Sequence, residues 1–317
     1  MPPVLGVLFL ILAWGVFELV VWLARRRLAR RRPPALLLEA TRAPSGDAAA
    51  RGAVPAPASA ARAARQTRET CVVLVHGFGG WGELRLGGRS AAYFRGVKQH
   101  LEARGICCVV PRLPAVASIE ARARVLAEEL AQLAHKDIHV IAHSMGGLDA
   151  RYALARTGAR GVRSLVTVAT PHRGTPLATL GARVGFTRVA GLERALLDLT
   201  PDRVLELYDV MGDVDGVRYA SVVVAPREGA VHPLLVPTHR LLARWVGEND
   251  GLVPVDSQAW GEVVAAVDTD HWGAVGWGKG AFDAPTFYAS LVDHVTGLAT
   301  GPAVLLRLPA SFPVSPQ

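Results

Sequence analysis

Val140-Ile141-Ala142-His143-Ser144-Met145-Gly146-Gly147 is an apolar run that stops at a serine set between small residues, Ala142 two places before it and Gly146 two places after. Up to His143 the run reads as a strand, and from Met145 onward as a helix, so the serine falls on a sharp strand-to-helix turn. Such a turn forces its central residue into a strained backbone conformation, and small flanking residues let strand and helix approach closely enough to hold it there. The hydroxyl is thereby lifted to the top of a sheet, at a helix N-terminus whose dipole and free N–H groups favour a developing oxyanion. Ala142 stands where a glycine is usual, and a methyl group is the mildest replacement.

Outward from this turn, short, mostly apolar runs at 71–75, 106–110, 138–142, 162–169, 219–224 and 263–267 alternate with amphipathic stretches at 90–104 and 119–134. Buried strands separated by helices predict an α/β architecture, a mostly parallel sheet covered on both faces. Residues 175–215 and 227–248 break the alternation and read as lid or cap insertions. The expected organisation is an anchor with an Arg-rich flank at 1–32, an Ala/Pro/Arg-rich linker at 33–68, a catalytic domain at 69–300 and a Pro-rich tail at 301–317.

The formal charge of +8 is confined to the N-terminal region. Eleven arginines and three acids (Glu18, Glu39, Asp47) lie in residues 1–68, leaving 24 basic and 24 acidic groups in the other 249. The main domain has no basic stripe interleaved with stacking aromatics, which excludes a nucleic-acid partner. Residues 4–23 form an almost uninterrupted apolar run, long enough at about 1.5 Å per residue to cross a ~30 Å hydrocarbon core. Glu18 is its one acid, and Trp22 sits where an interfacial anchor is expected. The run is long for a signal peptide, lacks Lys or Arg before it and has no clear cleavage site after it, so it predicts a single-pass transmembrane helix. Six arginines between Arg25 and Arg32 then place the remainder of the chain on the cytoplasmic side by the positive-inside rule. Cys71, Cys107 and Cys108 read as small buried strand residues with no disulfide framework, and no Cys or His spacing suggests a metal.

Acyl transfer by a serine needs a base to take its proton, an acid to orient that base and donors for the oxyanion. Downstream of Ser144, Asp250 lies in the turn Asn249-Asp250-Gly251-Leu252-Val253, and His271 follows the strand at 263–267. The order serine, acid, histidine is the one expected where the serine sits on a strand-to-helix elbow. Asp256 is the second choice of acid, whereas Asp268 and Asp270 are too near His271 in sequence to reach round to its Nδ1. Upstream, Val75-His76-Gly77-Phe78-Gly79-Gly80 ends the first strand, and the backbone N–H groups of Phe78 and Met145 are the expected oxyanion donors. His76, Gly77, Gly79 and Gly146 support that loop. His143 reads as a packing or hydrogen-bonding residue, His172 breaks the chain order, and His294 belongs to a C-terminal helix.

These stretches, with Thr170-Pro171-His172-Arg173-Gly174-Thr175, resemble the true bacterial lipases of the α/β-hydrolase superfamily over about 71–276. The resemblance implies Ser144 as nucleophile, Asp250 as acid, His271 as base, and Phe78 with Met145 as oxyanion donors. It also implies a structural calcium held by two Asp and a disulfide after the Asn-Asp-Gly turn. Here Gly273, Glu228 and Asp256 occupy those regions, so neither is expected. The expected activity is hydrolysis of carboxylic esters with an apolar acyl group, lipid esters above all, at a membrane and without a cofactor. Acyl transfer, thioester cleavage or polyester cleavage would use the same residues. An idle membrane-tethered binding protein would show the loss of one of the three, and none is lost.

Overall fold

The computed structural model describes residues 69–80, 83–86, 89–183, 192–227 and 229–297. The apolar segment at 4–23, the arginine cluster, the linker, Glu228 and the tail lie outside them. Among the described residues no helix is long and apolar enough to cross a membrane.

Six strands form the main sheet: β1 (Thr70–Val75), β4 (Cys107–Val109), β5 (Asp137–His143), β6 (Val162–Val168), β7 (Arg218–Val224) and β8 (Glu262–Val267). Their spatial order is β4-β1-β5-β6-β7-β8, and every neighbouring pair is parallel. Each of the six coincides with one of the apolar runs, which is what burial on both faces demands of a parallel strand. β5 is buried along its whole length. Leaving β1, the chain first adds β4 on one side and then returns to add β5 on the other. The carboxyl ends of β1 and β5 therefore flank a topological switch point, the place where open α/β sheets leave a crevice.

Helices cover both faces. They are α1 (Val97–Ala103), α2 (Ile119–Gln132), α3 (Met145–Thr157), α4 (Pro176–Arg183), α5 (Leu192–Leu197), α6 (Pro201–Tyr208), α7 (Val236–Trp245), α8 (Val255–Gln258) and α9 (Ala284–Thr296). α2 buries Ile119, Ala123, Leu126 and Leu130, one stripe at helical spacing, and Ser118 caps it by accepting from the Ala121 N–H at 3.2 Å. The insertion at 175–215 contributes α4 to α6. Its Ala178, Ala195, Leu199, Val204, Leu207 and Met211 close over Met145 and Leu148 of α3, with Phe78 and Val116 packed against them.

Two expectations are corrected. The helix expected at 90–104 begins only at Val97, because Gly96 adopts a φ of 74° and because Arg89–Ala92 is β3, antiparallel to β2 (Glu83–Leu86). The cysteines were expected to be unpaired, yet Cys71 and Cys107 form a disulfide. The register of β1 against β4 sets them directly opposite, with Cα atoms 4.6 Å apart, a spacing within the range a disulfide spans. Cys108 keeps the expected role. It packs among Val72, Leu74 and Leu101, and burial pushes its thiol up to about 12.

Candidate active site

Ser144 sits between β5 and α3 with φ 56° and ψ −134°, a conformation that costs a residue with a side chain about 1–3 kcal/mol. Its surroundings hold it there. The Ser144 N–H donates to the Val168 carbonyl at 2.9 Å, and its carbonyl accepts from the Thr170 hydroxyl at 2.9 Å. A methyl group on Gly146 would lie 2.7 Å from the carbonyl oxygens of both Val75 and His76, and one on Gly147 would collide with the Thr170 side chain. Both positions thus admit only glycine. The elbow exists because strand, helix and the loop after β6 meet where no Cβ fits.

The three residues expected to act together converge. His271, in the loop after β8, places its Nδ1 2.7 Å from Asp250 Oδ2 and its Nε2 3.0 Å from Ser144 Oγ. A carboxylate only accepts, so Nδ1–H donates to Asp250, and Nε2 is left to accept from the serine hydroxyl. Asp250 is fully buried, and its other oxygen accepts from the N–H groups of Leu252 and Val253 at 2.9 and 2.7 Å. The His271 N–H donates to the Asp250 carbonyl at 2.9 Å, which joins the two loops through main chain as well. Gln258 zips the acid turn to the sheet: its amide accepts from the Val224 N–H and donates to the carbonyls of Val224 and Val253.

The other acids are used elsewhere. Asp268 pairs with Arg227, Asp270 accepts from the N–H groups of Gly273 and His232, and Asp256 meets Arg173 only through its carbonyl. His172 is buried against Thr167 and stacked on Trp260, while His294 bonds Arg218 at the surface. Among the described residues no group of three or more His, Cys, Asp or Glu converges as a metal site would.

Phe78 follows β1 by three residues, and Met145 opens α3; among the described residues neither N–H donates to a backbone carbonyl. The loop that carries Phe78 is tied to the segment before α2 by Gly79, whose N–H donates to the Ala115 carbonyl at 2.8 Å with φ at 66°. His76 is buried, donates from Nδ1 to the Gly77 carbonyl, and is held down to about 4 by desolvation, with Arg122 adding to the effect.

Arg122 escaped the sequence reading. Its fully buried guanidinium binds Asp149 of α3 at 2.8 Å, the His76 carbonyl at 2.7 Å and the Pro114 carbonyl. One side chain thus links the loop after β1, the segment before α2 and the helix that starts at the elbow. The available signal was an arginine on the apolar stripe of α2, three residues after Ile119 and four before Leu126.

A family model described as the alpha/beta hydrolase fold matches residues 70–208, from β1 through the elbow to the end of α6. The chain has the α/β-hydrolase fold. The same hydrolase fold is found in a metagenomic carboxyl esterase of known structure, with a TM-score of 0.62 and 20% identity over 74% of this chain and 77% of that one. In sequence the chain is 31% identical over 203 residues to triacylglycerol lipase 2 of Saccharomyces cerevisiae, covering 58% of this chain and 62% of the yeast protein. It is 34% identical over 131 residues to a triacylglycerol lipase of Pseudomonas fragi, covering 38% of this chain and 43% of that one. The chain therefore spans less than two thirds of the length of either relative.

Proposed function

We propose that the protein is a serine hydrolase of the lipase/esterase type, cleaving carboxylic esters with an apolar acyl group. The observation that carries the reading is the continuous hydrogen-bonded chain Ser144–His271–Asp250, assembled from three separate loops at the carboxyl edge of the sheet. In this mechanism Ser144 Oγ attacks the ester carbonyl and passes its proton to His271 Nε2. The carbonyl oxygen gains the negative charge and is received by the N–H groups of Phe78 and Met145. His271 then protonates the departing alcohol, leaving the acyl group on Ser144, and water reverses the sequence to release the acid. Asp250 stabilises the imidazolium, and its buried turn keeps Nδ1 as the donor. His76, Gly77, Gly79 and Gly146 keep the oxyanion loop and the elbow within contact. The apolar cap of α4 to α6 favours an apolar acyl group, and the two lipase relatives support a lipid ester as substrate.

The test is hydrolysis of p-nitrophenyl esters of graded chain length by the full chain in detergent. Asp250→Asn is expected to lower kcat by about 10⁴-fold, as loss of the orienting acid does in serine hydrolases. Ester hydrolysis unchanged in Ser144→Ala would refute the reading.

The apolar segment at 4–23 supports a single-pass anchor, which would keep the enzyme beside its lipid substrate. Two observations bear on its orientation. The arginines from Arg25 to Arg32 favour a cytoplasmic catalytic domain. The Cys71–Cys107 pair favours an oxidising compartment. We adopt the cytoplasmic placement. Digestion of intact cells with an added protease tests it: a protected catalytic domain is expected, and a cleaved one would reverse the orientation.

A further inference from the structure

Behind the Ser144–His271 pair lies a second buried histidine. His143 closes β5, one residue before the elbow, with Nε2 3.1 Å from the His271 carbonyl oxygen and Nδ1 2.7 Å from the Tyr93 hydroxyl. Its ring lies against the His271 ring, with centroids 4.6 Å apart. Desolvation, with His271 beside it, holds the imidazole well below its ordinary range, so it is neutral. A neutral imidazole has one donor and one acceptor. The His271 carbonyl only accepts, so Nε2 carries the proton, Nδ1 is bare, and the Tyr93 hydroxyl donates to it. Gly77 of the oxyanion loop lies against the same hydroxyl. A methyl group on Gly77 would sit 3.0 Å from the Tyr93 hydroxyl and 2.7 Å from Ser144 Cβ, so these groups are already in contact.

The direction of both bonds is thereby determined, from the Tyr93 hydroxyl to His143 and on to the His271 carbonyl. The His271 main chain is suspended between the acid turn and β5, its N–H on the Asp250 carbonyl and its C=O on His143. We propose that Tyr93 and His143 are positioning residues for the reaction, a buried relay that locks the oxyanion loop, the elbow strand and the base loop in one register. The proposal rests on the ester-hydrolase reading above. With Nδ1 engaged by the tyrosine, His143 offers no free site for a second proton, so no second cation arises beside His271 when it takes the proton of Ser144. Without the tyrosine, His143 is free to switch tautomer, which would turn a bare Nε2 toward the His271 carbonyl and push the base loop away.

The test compares wild type, Tyr93→Phe, His143→Leu and His143→Gln, each as the full chain in detergent, with p-nitrophenyl butyrate as the probe ester. Tyr93→Phe and His143→Leu are expected to lower kcat by about tenfold or more with little change in KM, since misplacement of a reacting group acts on the chemical step. A glutamine amide can accept from Tyr93 and donate to His271, so His143→Gln is expected to restore most of kcat. In ¹⁵N-histidine spectra, His143 of the wild type is expected as a fixed Nε2–H tautomer that becomes mixed in Tyr93→Phe. Wild-type kcat in Tyr93→Phe, or a loss in His143→Gln equal to that in His143→Leu, would overturn the relay. If wild type turns over no ester, the hydrolase reading fails. The spectra then still decide the bonding, and an Nδ1–H tautomer at His143 overturns it.

Discussion

Acidification should destabilise this fold steeply, because three of its histidines are buried in neutral form. Burial holds His76 down to about 4 from 6.5, and desolvation sets His143 and His172 well below their ordinary range. Between pH 6.5 and the folded value, each imidazole binds a proton in the unfolded chain but not in the folded one. Stability is then complete above 6.5 and is lost as the pH falls. For His76 the displacement amounts to about 3 kcal/mol, at about 1.36 kcal/mol per pH unit. Asp149 works in the opposite sense. Burial raises its carboxyl to about 7 against the pull of Arg122, so below that pH the folded state holds one proton that the unfolded state releases until about 4. For these four groups, three protons less one leave a net two, a slope of about 3 kcal/mol per pH unit near pH 5. Against a total stability of about 5–15 kcal/mol, two pH units at that slope approach unfolding. The assay is urea denaturation of the full chain in detergent between pH 7.5 and 4.5, followed by near-UV circular dichroism. His76→Asn removes one of the two net protons and should roughly halve the slope. Stability that is flat or rising between pH 6.5 and 5, or a slope unchanged in His76→Asn, would refute the reasoning.

Arg122→Met leaves Asp149 buried without its partner and should cost about 3–5 kcal/mol; adding Asp149→Leu in the same chain should recover most of it, as measured by the same denaturation. A double mutant no more stable than Arg122→Met would show that the pair is not what holds the loop. Reduction of the Cys71–Cys107 disulfide, which closes a sequence separation of 36, should lower stability by about 2–4 kcal/mol. Equal midpoints with and without reductant, for a chain shown to start oxidised, would contradict this.

The parts legible in the sequence were those set by local physics. Mostly apolar runs at 71–75 and 138–142, short and bounded by turn residues, read as doubly buried strands, and a serine between Ala142 and Gly146 on a strand-to-helix boundary specifies its own backbone. The order Ser144, Asp250, His271 followed from where turns interrupt those runs, and the structure brings the same three side chains within hydrogen-bond distance. What escaped was set by register and by partners distant in sequence. Cys71 meets Cys107 only through the alignment of β1 with β4. Arg122 and Asp149 each look like ordinary charged residues on helices, and only the packing of α2 on α3 buries both. Tyr93 falls in a stretch expected to be helical. The positive φ of Gly96 ends that expectation and leaves the tyrosine in the turn that faces His143.

The most direct test of the central claim is mass-spectrometric mapping of a fluorophosphonate probe on the full chain in detergent, with Ser144→Ala as control. An activated nucleophile predicts labelling confined to Ser144, abolished in Ser144→Ala and strongly reduced in His271→Ala. No labelling of folded wild-type protein, or labelling that persists in Ser144→Ala, would contradict the account.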